Sequence, residues 1–169
     1  MTFNNFDTQE QKDLFFMNEA LKEAKKALKE KEVPVGAVLV FENRIVARGH
    51  NQVELLRDAT AHAEMICLTS GAEFFHNWRL LDTTLYCTLE PCLMCSGAIL
   101  NARVKRVVYG ADDMRVGANG SWINVFEKKH PMHEVEIEGG ILKEESSYLL
   151  KTFFQNKRKK ESLLSGIIQ

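Results

Sequence analysis

Residues 84–95 read TLYCTLEPCLMC, in which a predicted β-strand leads directly into a helix. Residues 84–88 have the pattern of a strand, and Pro91 lies where the first turn of a helix begins. Cys92 and Cys95 are three positions apart in that turn, so both sulfurs face one side of the helix. Because a helix N-terminus favours negative charge, it helps to keep such thiolates ionised. The pattern predicts a strand–helix unit with two thiolates at its junction.

The rest of the chain alternates predicted helices and strands around this unit. Thr8 and Gln11 form a capping-box pattern before an apolar repeat of helical spacing. Residues 35–41 and 45–49 form a predicted hairpin around Glu42 and Asn43. The other predicted elements are a helix from His62 to about Phe74, a helix ending near Asn101 with a left-handed cap, a strand over 104–109, a short helix over 122–126, a strand over 135–137 and a final helix over 144–160.

Strand–helix–strand units favour parallel pairing, with ligands bound beyond the carboxyl ends of the strands. The second, third and fourth predicted strands end near residues 50–51, 89–90 and 111–113. If these three strands are parallel, their ends lie at one edge of the sheet. The predicted helices that carry His62 and Cys92 begin at the same edge, so the sequence predicts that the chemically active residues meet there.

His62 supplies a third candidate metal ligand, and Glu64 follows two positions later. Three protein ligands leave a fourth zinc position for water, which is typical of a catalytic site. Zinc lowers the pKa of bound water from about 15.7 to about 7. Cys87 is the alternative, since a fourth thiolate would close the site and make it structural, whereas a buried thiol is the more ordinary role for it. A thioredoxin-type redox pair is disfavoured because Pro91 precedes the first cysteine.

The composition is that of a soluble globular chain, and we expect one domain over residues 1–169. The 22 basic and 23 acidic residues exclude an overall basic field. With no signal peptide or membrane segment in the sequence, we expect a cytoplasmic protein. Basic residues do gather near Phe153 and Phe154, where they either contact RNA or simply complement the helix dipole. These residues are Lys151, Lys157, Arg158, Lys159 and Lys160.

The paired motifs HAE at 62–64 and PCLMC at 91–95 match the zinc deaminase signature. The longer runs resemble the bacterial tRNA-specific adenosine deaminases. These runs are EVPVGAV at 32–38, TAHAE at 60–64, TLEPC at 88–92, GA at 110–111 and 117–118, GS at 120–121, VEI at 135–137 and GIL at 140–142. The resemblance implies a three-layer α/β/α sandwich with a five-stranded mixed sheet, the cytidine deaminase-like fold. It also implies a homodimer, for which Met94 and Ile99 are candidate contacts, with the core of the single domain as the alternative place for both.

The resemblance further implies the conversion of wobble adenosine to inosine in a tRNA anticodon loop. A zinc-bound hydroxide would attack C6 while Glu64 shuttles protons, with His62, Cys92 and Cys95 as the zinc ligands. The substrate contacts implied in the same way are Asn51, Ala63, Asp113, Phe154 and Arg158. Ala59 and Met132 depart from the family pattern, which usually has Pro and Asn there.

Two other functions fit part of the sequence. A free nucleobase or nucleoside deaminase, for guanine or cytidine, would use the same metal chemistry without an RNA-binding tail. A structural zinc module that binds RNA without catalysis is disfavoured by Glu64, because a closed zinc site has no use for that carboxylate.

Overall fold

The structure, a computed structural model, describes residues 6–165 and contains one mixed sheet. Both ends of the predicted 1–169 domain therefore lie outside the described residues. The strands are β1 (Gly36–Phe41), β2 (Arg44–His50), β3 (Thr84–Leu89), β4 (Arg106–Ala111) and β5 (Glu136–Gly139). The helices are α1 (Gln9–Lys29), α2 (Val53–Leu56), α3 (Ala63–Phe75), α4 (Leu93–Asn101) and α5 (Lys143–Ser165).

The sheet has five strands in the order β2-β1-β3-β4-β5. Strand β1 is antiparallel to both β2 and β3, whereas β3, β4 and β5 are parallel. Since β2 and β3 both oppose β1, strands β2, β3 and β4 run in the same direction. Their carboxyl ends at His50, Leu89 and Ala111 therefore lie at one edge of the sheet, as the sequence predicted.

Helices cover both faces of the sheet, which confirms the three-layer α/β/α arrangement. Helix α1 packs on one face, where Phe16 and Met17 contact strand side chains such as Tyr86 and Val108. Helix α3 packs on the other face, where Cys67 and Leu68 join a larger apolar cluster that includes Ile99 of α4. Cys67 is completely buried, as expected for a core residue.

A buried ionic cluster attaches α1 to the sheet. Arg106 on β4 donates two hydrogen bonds to the Asp13 carboxylate, at 2.7 and 2.8 Å. Tyr86 on β3 donates a third through its hydroxyl, also at 2.8 Å. Because Asp13 is only 4% exposed, its charge depends on these donors for compensation.

Local signals set several element boundaries. Thr8 caps α1 by accepting a hydrogen bond from Gln11 N at 3.1 Å, as predicted, although the Gln11 side chain returns to Asp7 N. Glu42 and Asn43 both have positive φ, 47° and 59°, which is the geometry of a two-residue hairpin turn. Gly36 allows β1 to approach α1, because a Cβ there would lie 2.2 Å from Ala20 O.

Several boundary predictions were wrong. Residues 122–126 do not form a helix; they turn back on the preceding segment through an Asn119–Asn124 bridge and a hydrogen bond from Val125 N to Ala118 O. Helix α4 does end at Asn101, as predicted, but Asn101 is not its left-handed cap, because the residue with positive φ after the helix is Arg103. The four-residue helix α2 was not predicted. Across residues 6–165, none of the helices has the length and apolarity to cross a membrane.

Candidate metal centre and active site

Two helix starts bring the predicted metal ligands together. His62 is the N-cap of α3 and Cys92 is the N-cap of α4, while Cys95 lies in the first turn of α4. His62 Nδ1 is 3.7 Å from the Cys92 sulfur and 3.5 Å from the Cys95 sulfur. Within residues 6–165 this is the one group of three or more candidate ligands whose donor atoms all lie within 4.8 Å of one another.

These separations fit zinc. With a Zn–N bond of about 2.0 Å and Zn–S bonds of about 2.3 Å, tetrahedral angles place the nitrogen about 3.5 Å from each sulfur. Three ligands leave a fourth position for water or substrate. Cys87 does not belong to the group: it is completely buried, and its thiol points to Val108 O at 3.8 Å. The donor set is therefore that of an open catalytic site.

The pKa values of the two cysteine thiols are shifted in opposite directions. The hydrogen bond with Cys95 has the largest influence on the pKa of Cys92, and it lowers this pKa. The contact with His62 lowers it further, so the pKa of Cys92 falls to about 4 although burial acts in the opposite direction. The same sulfur–sulfur contact and burial raise the pKa of Cys95. The contact with Cys92 also raises the pKa of His62. A dication between these groups would favour the thiolate at both cysteines.

Glu64 lies beside the metal group in a cavity of about 270 Å³. Its side chain is 3% exposed, and burial raises the pKa of Glu64 to about 7 against the opposing effects of its own backbone N–H and of His62. The cavity lies at the shared edge of β2 and β3. Asn51, His62, Ala63, Cys92, Asp113 and Phe154 line it together with Glu64.

Asn51 is held at the end of β2 by a buried carboxylate that the sequence analysis did not single out. Its Nδ2 donates to Glu32 Oε2 at 3.0 Å, and its backbone N donates to Val35 O at 3.0 Å. The other oxygen, Glu32 Oε1, accepts from Leu55 N at 2.7 Å. Glu32 is 1% exposed and also lines the cavity.

Glu90 organises the loop that carries Asp113. Its carboxylate accepts hydrogen bonds from Asp113 N at 3.0 Å, Asn119 N at 2.8 Å and Ser121 N at 3.3 Å, and also from the Ser121 hydroxyl. Gly117 lets the loop close over it, because a Cβ there would lie 2.4 Å from Glu90 Cδ. In the sequence, the only sign of this role is that an acidic residue, Glu90, lies between a predicted strand and Pro91.

An outer cavity continues from the metal site along α5. Phe154 lines both cavities, and the Arg115 guanidinium lies 5.4 Å from the centre of its ring. Arg158 lines only the outer cavity, whose wall includes none of the three metal ligands. Phe153 instead faces a groove against Leu28 of α1. The two neighbouring phenylalanines thus face different cavities, although their ring centres are only 5.3 Å apart, and Phe154 lines the cavity that contains the metal ligands.

Comparisons with known proteins agree with this geometry. The family model of the cytidine and deoxycytidylate deaminase zinc-binding region matches residues 10–111, more than half of the chain. The tRNA-specific adenosine deaminase of Bacillus subtilis is 44% identical over 149 residues, which cover 88% of this chain and 92% of that protein. The Arabidopsis thaliana chloroplastic tRNA(adenine(34)) deaminase is 52% identical over 85% of this chain, but the match spans only 12% of that longer protein.

Solved structures of deaminases share the fold of this chain. A chain from studies of A-to-I editing by tRNA:A34 deaminases at the wobble position matches with a TM-score of 0.77 and 41% identity, over 80% of this chain and 99% of that one. The guanine deaminase from Nitrosomonas europaea shares the fold at a TM-score of 0.72 but only 19% identity, over 90% of this chain and 95% of that one.

The mixed sheet and the histidine–cysteine–cysteine centre define a zinc-binding deaminase domain. With its extensive identity to the bacterial enzymes, the chain belongs to the family of tRNA-specific adenosine deaminases.

Proposed function

We propose that this protein deaminates the wobble adenosine of a tRNA anticodon loop to inosine. One observation carries the proposal: Glu64 lies beside a three-ligand metal centre in a cavity large enough for a base, in a chain closely similar to tRNA adenosine deaminases. A base inside a stacked helix cannot reach such a cavity. An anticodon loop allows the base to turn out at a lower cost than a duplex does.

The reaction adds water to C6 of adenine and releases ammonia. When bound by His62, Cys92 and Cys95, zinc would lower the pKa of a water molecule and so supply a nucleophile near neutral pH. Glu64 accepts the proton that the attacking water gives up and donates it to N1 of the ring. The same carboxyl group then carries a proton to the amino group that leaves, so it acts first as a base and then as an acid.

Substrate binding involves the walls of both cavities. Asn51, Ala63 and Asp113 contact the nucleoside in the inner cavity, which they line with Glu64. Phe154 offers a ring on which a neighbouring base can stack, and Arg158 in the outer cavity binds a phosphate. The zinc-binding domain and its basic C-terminal helix act as a single domain over residues 1–169.

The protein pairs as a homodimer through the surface around α4. Leu93 of α4 is 48% exposed, and its neighbour Met94, a contact suggested by the sequence, is half-buried, so burying these apolar side chains would favour association. Ile99, a contact suggested by the sequence, is completely buried in the core of the chain and is not available to a partner. Light scattering should give twice 19.3 kDa. A tRNA substrate is consistent with action in the cytoplasm.

The test is a comparison of substrates for the purified protein. We expect ammonia release from tRNA and from an anticodon stem-loop, with little or none from free adenosine, cytidine or guanine. Rapid turnover of a free base with no reaction on tRNA would instead indicate a small-molecule deaminase. Binding of tRNA with no turnover of any substrate would indicate a structural zinc module.

A further inference from the structure

The contacts of Glu32 extend the proposed function to base selection. Glu32 precedes β1, and its carboxylate lies in the wall of the inner cavity with only 1% of the residue exposed. Both of its oxygens are occupied, since Oε2 accepts from Asn51 Nδ2 at 3.0 Å and Oε1 accepts from Leu55 N at 2.7 Å. A buried carboxylate with both oxygens engaged holds its partners in fixed orientations.

The Asn51 amide has two orientations that differ by exchanging its oxygen and nitrogen. A carboxylate can only accept hydrogen bonds, so Glu32 requires the amide nitrogen of Asn51 on its side. Within the described part of the chain, the side-chain hydrogen bond of Asn51 goes to Glu32. The backbone of Asn51 is fixed in turn by its bond to Val35 O. The amide oxygen, Oδ1, therefore remains for the cavity.

We propose that Glu32 supports recognition of the substrate base by holding Asn51 Oδ1 as a hydrogen-bond acceptor toward it. This inference rests on the proposed function, which supplies the base. A fixed acceptor matches a ring edge that offers an N–H donor, such as the amino group of adenine. It repels an edge with a carbonyl at that position, such as that of inosine or guanine. Glu32 is a positioning residue, because it acts through Asn51.

Exchanging the two side-chain types gives a direct test. In Glu32→Gln, one oxygen must serve two donors, so either Leu55 N or the Asn51 amide loses its partner and Asn51 is free to turn. In Asn51→Asp, two carboxylates face each other. In the double variant Glu32→Gln/Asn51→Asp, the Gln oxygen accepts from Leu55 N while its nitrogen donates to the new Asp. The net charge is unchanged, and an acceptor still faces the cavity.

We would measure kcat and KM on an anticodon stem-loop, with zinc content and thermal midpoint, for the wild type and the three variants. Each single variant should lose about 10- to 100-fold in kcat/KM, the size expected for one hydrogen bond to a charged group. The double variant should recover at least about tenfold over both. Glu30→Gln is the matched control, because this carboxylate is 42% exposed, pairs with His50 and does not line the cavity.

Two results would overturn the inference. One is a Glu32→Gln enzyme that is less stable but has wild-type kcat/KM per bound zinc, since that describes a purely structural role. The other is a double variant no better than Asn51→Asp, and this comparison still decides the matter if Glu32→Gln alone does not fold. Failure of the proposed function itself looks different, because the wild-type protein would then form no inosine.

Discussion

The loop over Glu90 offers a quantitative test of how the active-site wall is held. In Glu90→Gln the side chain keeps its size but loses one of its two acceptor oxygens. Oε1 can keep its bonds from Asn119 N and Ser121 N. The new amide nitrogen then occupies the place of Oε2, where it faces Asp113 N and the Ser121 hydroxyl. The hydroxyl can turn and accept, whereas the Asp113 N–H cannot.

The substitution therefore removes one hydrogen bond to a charged acceptor. It also leaves the buried Asp113 N–H facing another donor, without an acceptor. A bond to a charged group contributes about 1.5–3 kcal/mol, and an unsatisfied buried donor costs about 1–3 kcal/mol. Since the two overlap in part, we expect a loss of roughly 2–4 kcal/mol. If this free energy is lost from the folded conformation of the loop, Asp113 and Val116 leave the cavity wall. The value of kcat/KM then falls by about 30- to 1,000-fold.

The assay combines kcat/KM on an anticodon stem-loop with amide hydrogen exchange over residues 112–121. Glu90→Gln should lower both activity and protection of this loop while zinc content persists, because the metal ligands lie outside it. Glu127→Gln is the control, since this carboxylate is exposed on the segment that follows. Unchanged protection and unchanged kcat/KM in Glu90→Gln would refute the assignment of Glu90 as the organiser of this loop.

Three further predictions follow from other contacts. Cys87→Ala should keep its zinc and activity, and loss of metal on elemental analysis would support a closed structural site. Arg158→Gln should reduce the log–log salt slope of tRNA affinity by about 0.7–0.9, as for one phosphate contact, whereas the ion-paired Lys22→Gln on α1 should not. At Asp13, burial raises the pKa, but the hydrogen bonds led by that of Arg106 outweigh burial and hold the pKa of this carboxyl below its ordinary value. A carboxyl group whose pKa is lower in the folded state contributes stability above its unfolded-state pKa, and this contribution is lost as the pH falls through the folded-state pKa. The free energy of unfolding in urea should therefore fall below about pH 4. This fall should be smaller in Asp13→Asn.

The metal centre was predictable because its ligands follow strong local signals. His62 and Cys92 each begin a helix at the strand-end edge of the sheet, and Cys92 and Cys95 have the spacing of one helical turn. The alternation of elements favoured parallel pairing of β3 and β4, whereas the common direction of β2 entered the sequence analysis only as a condition and follows from the pairing of both β2 and β3 with β1. The hairpin turn at Glu42 and Asn43 was visible in the sequence for the same local reason.

The supporting carboxylates depend instead on contacts between distant parts of the chain. Glu32 bonds to Asn51, 19 residues away, and Glu90 bonds to Ser121, 31 residues away. A single sequence shows an acidic residue in an apolar context but not which backbone groups surround it. The predicted helix over 122–126 does not form for a related reason, because the backbone of this segment bonds to the preceding turn, with Trp122 N donating to Gly117 O and Val125 N donating to Ala118 O.

The most direct test of the central account is the position of inosine in tRNA. Unmodified tRNA with adenosine at the wobble position would be incubated with zinc-loaded wild-type protein and with Glu64→Gln, and inosine would be located by sequencing and mass spectrometry. We expect inosine at the wobble position with the wild type. Glu64→Gln should bind zinc and tRNA normally but lose at least about 10²–10⁴-fold in rate. Inosine at unrelated positions, or substantial turnover by Glu64→Gln, would contradict the account.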